Sequence, residues 1–197
     1  MKKLLFATRN QGKIKEIQGL LEGLVETVIC STDVAGLPDT VEDGMTFEEN
    51  ALKKAREAST YAGLPVLADD SGLMVDALGG RPGIYSARFA GEGAGDGANN
   101  ARLLKELKGV ETGRRRAAFV CALAFVTPGG VERIFSGRVD GYIIDTPQGN
   151  GGFGYDPLFL VDGFDRTMAE LELEEKNLIS HRGQAFRLFR DYVKETY

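Results

Sequence analysis

Residues 66–80 read VLADDSGLMVDALGG. An apolar tripeptide, Val66 to Ala68, runs into two adjacent carboxylates, Asp69 and Asp70, and then into a Ser71-Gly72 pair. The run from Pro65 to Ala68 predicts a short strand and the Ser-Gly pair a turn, which puts both carboxylates at a strand end. Neighbouring ionised carboxylates repel and lose hydration when partly buried, so the placement calls for a compensating charge. Magnesium is the first candidate, since it takes one or two protein carboxylates and fills its shell with water and phosphate oxygens. An ordinary acidic turn is the plainer reading of the same residues. Glu42, Asp43 and Glu49 lie on a polar loop and a helix start that could approach the same metal, and spacing does not choose among them.

Upstream, the apolar run Leu4 to Ala7 stops at Thr8-Arg9-Asn10-Gln11-Gly12-Lys13, after which Ile14, Ile17, Leu20, Leu21 and Leu24 recur at helical spacing. That pattern is strand, loop, helix. Thr27 to Cys30 reads as a second strand, and Thr46 with Glu49 forms a capping box that opens a helix reaching about Ala62. Downstream, the glycine-crowded stretch from Gly79 to Gly97 predicts a long loop, followed by a helix from about Ala98 to Leu107. Arg116 to Val126 and Val131 to Val139 predict a hairpin, turned at Thr127-Pro128-Gly129-Gly130. Leu158 to Val161 is a further apolar run, and Ser180 to about Lys194 predicts a closing helix with Ala185, Phe186, Phe189 and Tyr192 inward. This alternation predicts α/β or α+β layering around one mixed sheet.

At 197 residues the chain suits one domain burying about 70% of its unfolded surface. With 43% hydrophobic and 27% charged residues it has the composition of a soluble globular protein. A net charge of −5 argues against duplex nucleic acid as a partner but leaves room for a local phosphate site. Cys30 and Cys121 show neither zinc nor disulfide spacing. The apolar start breaks off too early for a secretory signal, and Ala117 to Val126 is half the roughly 20 residues of a membrane helix. No membrane partner and a cytoplasmic location are expected.

Two motifs mislead. Gly12-Lys13 follows a strand, but a P-loop needs glycine where Ala7 stands and Ser or Thr where Ile14 stands. What survives is a helix start bearing Thr8, Asn10 and Lys13, whose backbone donors favour an anion; simple capping by Thr8 or Asn10 is the alternative. Gly149 to Gly154 matches G-x-G-x-x-G, yet Tyr155-Asp156-Pro157 follows where a dinucleotide site needs a helix. Those glycines either admit a flat ligand against Phe153 or Tyr155, or form a turn with core aromatics. His181 and Arg182 stand at a helix start, where the dipole opposes a cation and calls for an anionic or polar partner.

In order, the stretches ATRNQGK (7–13), EDGMTFEENALKKA (42–55), LADDSGLMVDALGGRPGIYSARFAG (67–91), QGNGGFGYDP (148–157) and EKNLISHRGQAF (175–186) resemble the inosine triphosphate pyrophosphatase family, in its bacterial branch. Asn150 replaces a common threonine, and Arg9 fills a variable position. The resemblance implies an α/β (mixed α+β) fold: an elongated mixed sheet flanked by helices, two lobes around a central nucleotide-binding cleft, in a single domain over 1–197 that forms a homodimer. It implies a magnesium-dependent hydrolysis of the purine nucleoside triphosphates ITP, dITP and XTP to monophosphate and pyrophosphate. Carried over by position, Asp70 is the proton acceptor and a magnesium ligand, with Glu42 and then Asp69 as further metal-side carboxylates. Thr8, Arg9, Asn10, Gln11, Gly12 and Lys13 line the triphosphate end, and Ser71 contacts substrate. Phe153, Gly154, Tyr155, Asp156, Lys176, His181 and Arg182 contact the nucleotide. Donors from His181, Arg182 and backbone N–H groups near Phe153 and Gly154 are expected to meet the C6 oxygen of the base. Two other readings remain: a pyrimidine-directed pyrophosphatase of the Maf type, disfavoured by the TRNQGK loop, and a silent nucleotide-binding module, disfavoured by the presence of Asp70 and Lys13.

Overall fold

Parallel pairing organises the amino-terminal part of the chain. Strand β1 (Lys3–Phe6) pairs with β2 (Thr27–Cys30), Lys3 opposite Thr27, and on its other edge with β3 (Val66–Val75), Leu5 opposite Val66. Parallel neighbours need long crossovers, and helices α1 (Gln11–Leu20) and α2 (Phe47–Ala62) lie within them. Strands β4 (Arg116–Val126), β5 (Glu132–Ile143) and β6 (Phe159–Val161) complete a six-stranded sheet in the order β2-β1-β3-β4-β5-β6, with β6 antiparallel to β5. The remaining helices are α3 (Asp96–Glu106), α4 (Leu173–Ile179) and α5 (His181–Thr196). This is the mixed α/β architecture expected from the sequence. The structure, a computed structural model, describes residues 1–21 and 23–196; positions 22 and 197 of the expected domain lie outside the described residues.

Local chemistry accounts for the element ends. Thr46 Oγ1 accepts the Glu49 N–H at 3.1 Å, and the Glu49 carboxylate accepts the Met45 N–H at 2.6 Å, so α2 starts on a capping arrangement reaching one residue further back than expected. Gly63, at φ 63°, closes the same helix in the left-handed region that glycine adopts without strain.

Backbone contacts divide the chain into two compact units, one of Met1–Asp70, Cys121–Gly137 and the segment from Arg182 onward, the other of Ser71–Val120 and Arg138–His181. The first has a core of Leu4, Phe6, Ile17, Leu67, Phe125, Phe186 and Phe189, with Phe6 edge-on to Phe186 at 6.2 Å. The second is built on Leu73, Leu103, Phe119, Ile143, Phe159 and Met168, with Phe119 and Phe159 centroids 4.6 Å apart. Each fully buried Leu or Phe contributes about 1.5–3 kcal/mol, so apolar packing holds each unit and both cysteines remain free thiols.

One expectation fails in an instructive way. β3 does not end at the acidic pair; it carries Asp69, Asp70, Ser71 and Gly72 in its interior and ends at Val75. Ionic partners from distant elements neutralise the carboxylates, so the strand continues where local sequence suggests a turn. The expected loop after Gly79 contains a 3-10 segment, Gly83–Arg88, and α4 has no counterpart in the sequence reading.

Candidate active site

Consecutive strand residues project to opposite faces, and this separates the two carboxylates of β3. Asp69 shares its face with Leu67, which packs with Ile17 of α1 and Phe186 of α5. There Asp69 Oδ2 meets Lys13 Nζ at 2.9 Å and Arg182 Nε at 3.3 Å, and Arg182 Nη1 also donates to Glu16. Arg182, in the first turn of α5, is opposed by the helix dipole, and Asp69 and Glu16 supply the anions that offset this. All three side chains are buried.

Asp70 faces α2. Asn50 Nδ2 donates to Asp70 Oδ2 at 3.1 Å, while Lys54 Nζ reaches the Asp69 carbonyl at 2.7 Å, Glu42 Oε1 at 2.9 Å and Asp70 Oδ1 at 3.4 Å. Burial pushes the Asp70 carboxyl above the usual carboxylate range, and Glu42 adds to the rise; Lys54, Lys13 and the Asn50 amide pull against it without cancelling it. Burial pulls Lys54 down, but Asp70, Glu42 and Asp69 together outweigh it and hold the amine above its ordinary value. The ammonium is therefore kept charged beside a carboxylate that is a stronger base than an ordinary aspartate.

The donor set suits magnesium. Glu42 and Asp70 converge on one cation, the Lys54 ammonium, and two hard carboxylates are what magnesium takes from a protein when phosphate oxygens complete its shell. Among the described residues no group of three or more His, Cys, Asp or Glu side chains is placed to hold a metal by itself. Asp69, with Lys13 and Arg182 on it, is engaged on its own face of the strand, so the metal reading rests on Asp70 and Glu42.

The first loop is pinned at both ends. Thr8 Oγ1 accepts the Asn10 N–H at 3.2 Å, and Asn10 Oδ1 caps α1 by accepting the Lys13 N–H at 3.1 Å. Arg9 turns to the following loop, with Asp39 at 3.3 Å and the Leu37 carbonyl at 2.8 Å. Gln11 and Gly12 open α1, and Ser71 is half-buried inside β3.

In the second unit, Asp156 is the hub. Its Oδ2 accepts the Phe153 N–H at 2.9 Å and Lys176 Nζ at 2.5 Å, and Lys176 lies 5.2 Å from the centre of the Phe153 ring. Gly152, at φ 70°, must be glycine, because a Cβ there would overlap the Asp156 carboxylate. Of the two aromatics, Tyr155 is core: its hydroxyl donates to the Ser86 carbonyl at 2.8 Å, and burial raises its pKa. Phe153 is the half-exposed ring. His181 stacks on Phe119 at 5.0 Å. Of the backbone donors here, the Phe153 N–H goes to Asp156 and the Gly154 N–H to Asp96 Oδ2 at 2.6 Å.

Sequence reasoning missed Asn50, Lys54 and Glu16. Asn50 and Lys54 are four residues apart on α2, among Phe47, Ala51, Ala55 and Ala58 of the buried stripe, and polar side chains on such a stripe are the available signal. Glu16 beside Ile17 on α1 gives the same signal.

A buried carboxylate beside a second carboxylate and a lysine, in a mixed α/β fold, is the kind of cluster at which functional sites are found. The chain belongs to the Ham1 family, whose model matches residues 4–192. It is 55% identical to a dITP/XTP pyrophosphatase of Geobacter sulfurreducens over 98% of this chain and 97% of that protein. It is likewise 55% identical to a dITP/XTP pyrophosphatase of Exiguobacterium over 94% of this chain and 93% of the relative. The solved structure of a HAM1 protein from Coxiella burnetii superposes with a TM-score of 0.90 at 41% identity, covering 100% of both chains.

Proposed function

We propose that this chain hydrolyses ITP, dITP and XTP to the nucleoside monophosphate and pyrophosphate, with Asp70 as the general base. The observation that carries the reading is the Asp70 carboxylate, buried, raised in pKa and held by Asn50 and Lys54, in a chain whose full-length relatives bear the name dITP/XTP pyrophosphatase. Asp70 takes the proton of the water that attacks the α-phosphorus, the part of a positioned general base. Lys54 and Lys13 place positive charge where charge spreads over phosphate oxygens as pyrophosphate leaves. Asp70 and Glu42 would hold magnesium, which when bound supplies further positive charge to those oxygens. Thr8 to Lys13 serve the triphosphate, while Phe153, Lys176 and His181 serve the nucleoside. The same reading includes a homodimer, a cytoplasmic location and no nucleic-acid or membrane partner. The pyrimidine-directed and silent readings are not favoured, given the names of the relatives and the presence of Asp70 and Lys13.

Base choice follows from donors and acceptors. Hypoxanthine and xanthine present a carbonyl at C6 and an N–H at N1, whereas adenine presents an amino group and a bare acceptor. A protein donor left facing the adenine amino group costs about 1–3 kcal/mol, or roughly 5- to 150-fold in kcat/KM. Pyrophosphate release from ITP, XTP, dITP, ATP and GTP, with and without chelator, tests this. ITP and XTP are expected to exceed ATP by at least about fivefold, whereas guanine shares the C6 and N1 groups and can be set apart only at C2. Activity should be lost in chelator and restored by magnesium. Equal turnover of ATP and ITP contradicts the base selection, and full activity in chelator contradicts the metal requirement.

A further inference from the structure

We propose that Asn50 is a positioning residue that ties the loop carrying Glu42 to the carboxylate of Asp70, so that the two acidic groups keep one fixed arrangement. The inference deepens the reading of Asp70 as general base and rests on it. Asn50 is 0% exposed, and its side chain bridges two segments: Oδ1 accepts the Gly44 N–H at 2.8 Å, and Nδ2 donates to Asp70 Oδ2 at 3.1 Å. These two bonds fix the orientation of the amide. The Gly44 N–H needs the carbonyl end, so the NH2 end faces the carboxylate.

Gly44, two residues beyond Glu42, is shaped to this amide. A Cβ at Gly44 would stand 2.7 Å from Asn50 Oδ1 and 2.9 Å from Glu49 Cβ, so the bare peptide packs directly against the side chain. Asp70 is thus held at both oxygens, by the Lys54 ammonium at Oδ1 and the Asn50 amide at Oδ2, and each holder also reaches the Glu42 loop. The two are not equivalent. An amide supplies a directed donor without a net charge, so it orients Asp70 at less expense to basicity than a second ammonium, and without the repulsion of a carboxylate.

The test is a double-mutant cycle with ITP, measuring Asn50→Ala alone and with Asp70→Asn. Alone, Asn50→Ala is expected to lower kcat about 10- to 100-fold with KM changed less than about threefold, as for loss of a hydrogen bond to a charged group that acts in the chemical step. Combined with Asp70→Asn, it should change the residual kcat by less than about twofold, because its only route to the reaction is already cut. Amide hydrogen exchange in metal-free protein gives the second readout. The Gly44 N–H should exchange faster in Asn50→Ala but stay protected in Asn50→Asp, which keeps the acceptor while losing the donor to Asp70; Asn50→Asp also carries the cycle should Asn50→Ala not fold. Equal losses of kcat in both backgrounds, or unchanged Gly44 exchange in Asn50→Ala, overturn the positioning role. Normal turnover by Asp70→Asn alone overturns instead the reading on which it rests.

Discussion

Asp70→Asn is expected to lower kcat at least about 100-fold while the protein stays folded, in line with the removal of a general base. Its effect on stability has a definite sign. Burial raises the Asp70 pKa above the unfolded value of about 3.9, so the folded, metal-free state binds this proton more tightly than the unfolded one. The resulting stability is fully present below the unfolded pKa and is lost as pH rises through the folded pKa. Above that window the ionised carboxylate is a net cost to the fold, and the raised pKa already counts the attraction of Lys54. The neutral, nearly isosteric asparagine removes this cost. Thermal unfolding of metal-free protein at pH 7 should therefore give the variant a Tm no lower than that of the unmodified chain. A folded variant with near-normal kcat contradicts the catalytic assignment, and a clear loss of Tm contradicts the electrostatic one.

Arg182→Ala carries the largest expected effect on stability. The guanidinium is buried between Glu16 and Asp69, and its removal takes this cation from both buried carboxylates. Breaking a buried ion pair from one side costs about 3–5 kcal/mol, which for a chain of this size lowers Tm by roughly 6–20 °C. Read from sequence alone, Arg182 is a donor to the base. The structure engages its Nε with Asp69 and its Nη1 with Glu16, so the first consequence of its loss is instability. Calorimetry of the folded variant decides the matter, and a Tm within about 2 °C of the unmodified protein would show that the network does not hold this unit together.

The contrast between Asp70 and Arg182 shows what was legible in the sequence. Elements with a clean local period were readable: β2 falls on Thr27–Cys30 as expected, and the helix after Thr46 ends near Ala62. The course of β3 was not. Two charges and a Ser-Gly pair look like a turn until Lys13, Lys54 and Arg182 are brought to them, and Arg182 lies more than 100 residues away in the chain. The paired carboxylates are accommodated by topology: they project to alternate faces of one strand and share the charge of Lys13, Lys54 and Arg182. Asn50 and Lys54 were readable in principle, as polar positions on a buried stripe, whereas the capture of the Phe153 and Gly154 N–H groups by Asp156 and Asp96 depends on side-chain placement that no local pattern encodes.

Hydrolysis of ITP in oxygen-18 water, with mass analysis of both products, tests the central claim most directly. If Asp70 directs water to the α-phosphorus, the label enters the monophosphate and the inorganic product is unlabelled pyrophosphate. Label in pyrophosphate, or release of orthophosphate as the first product, would place the attack on another phosphorus and contradict the account.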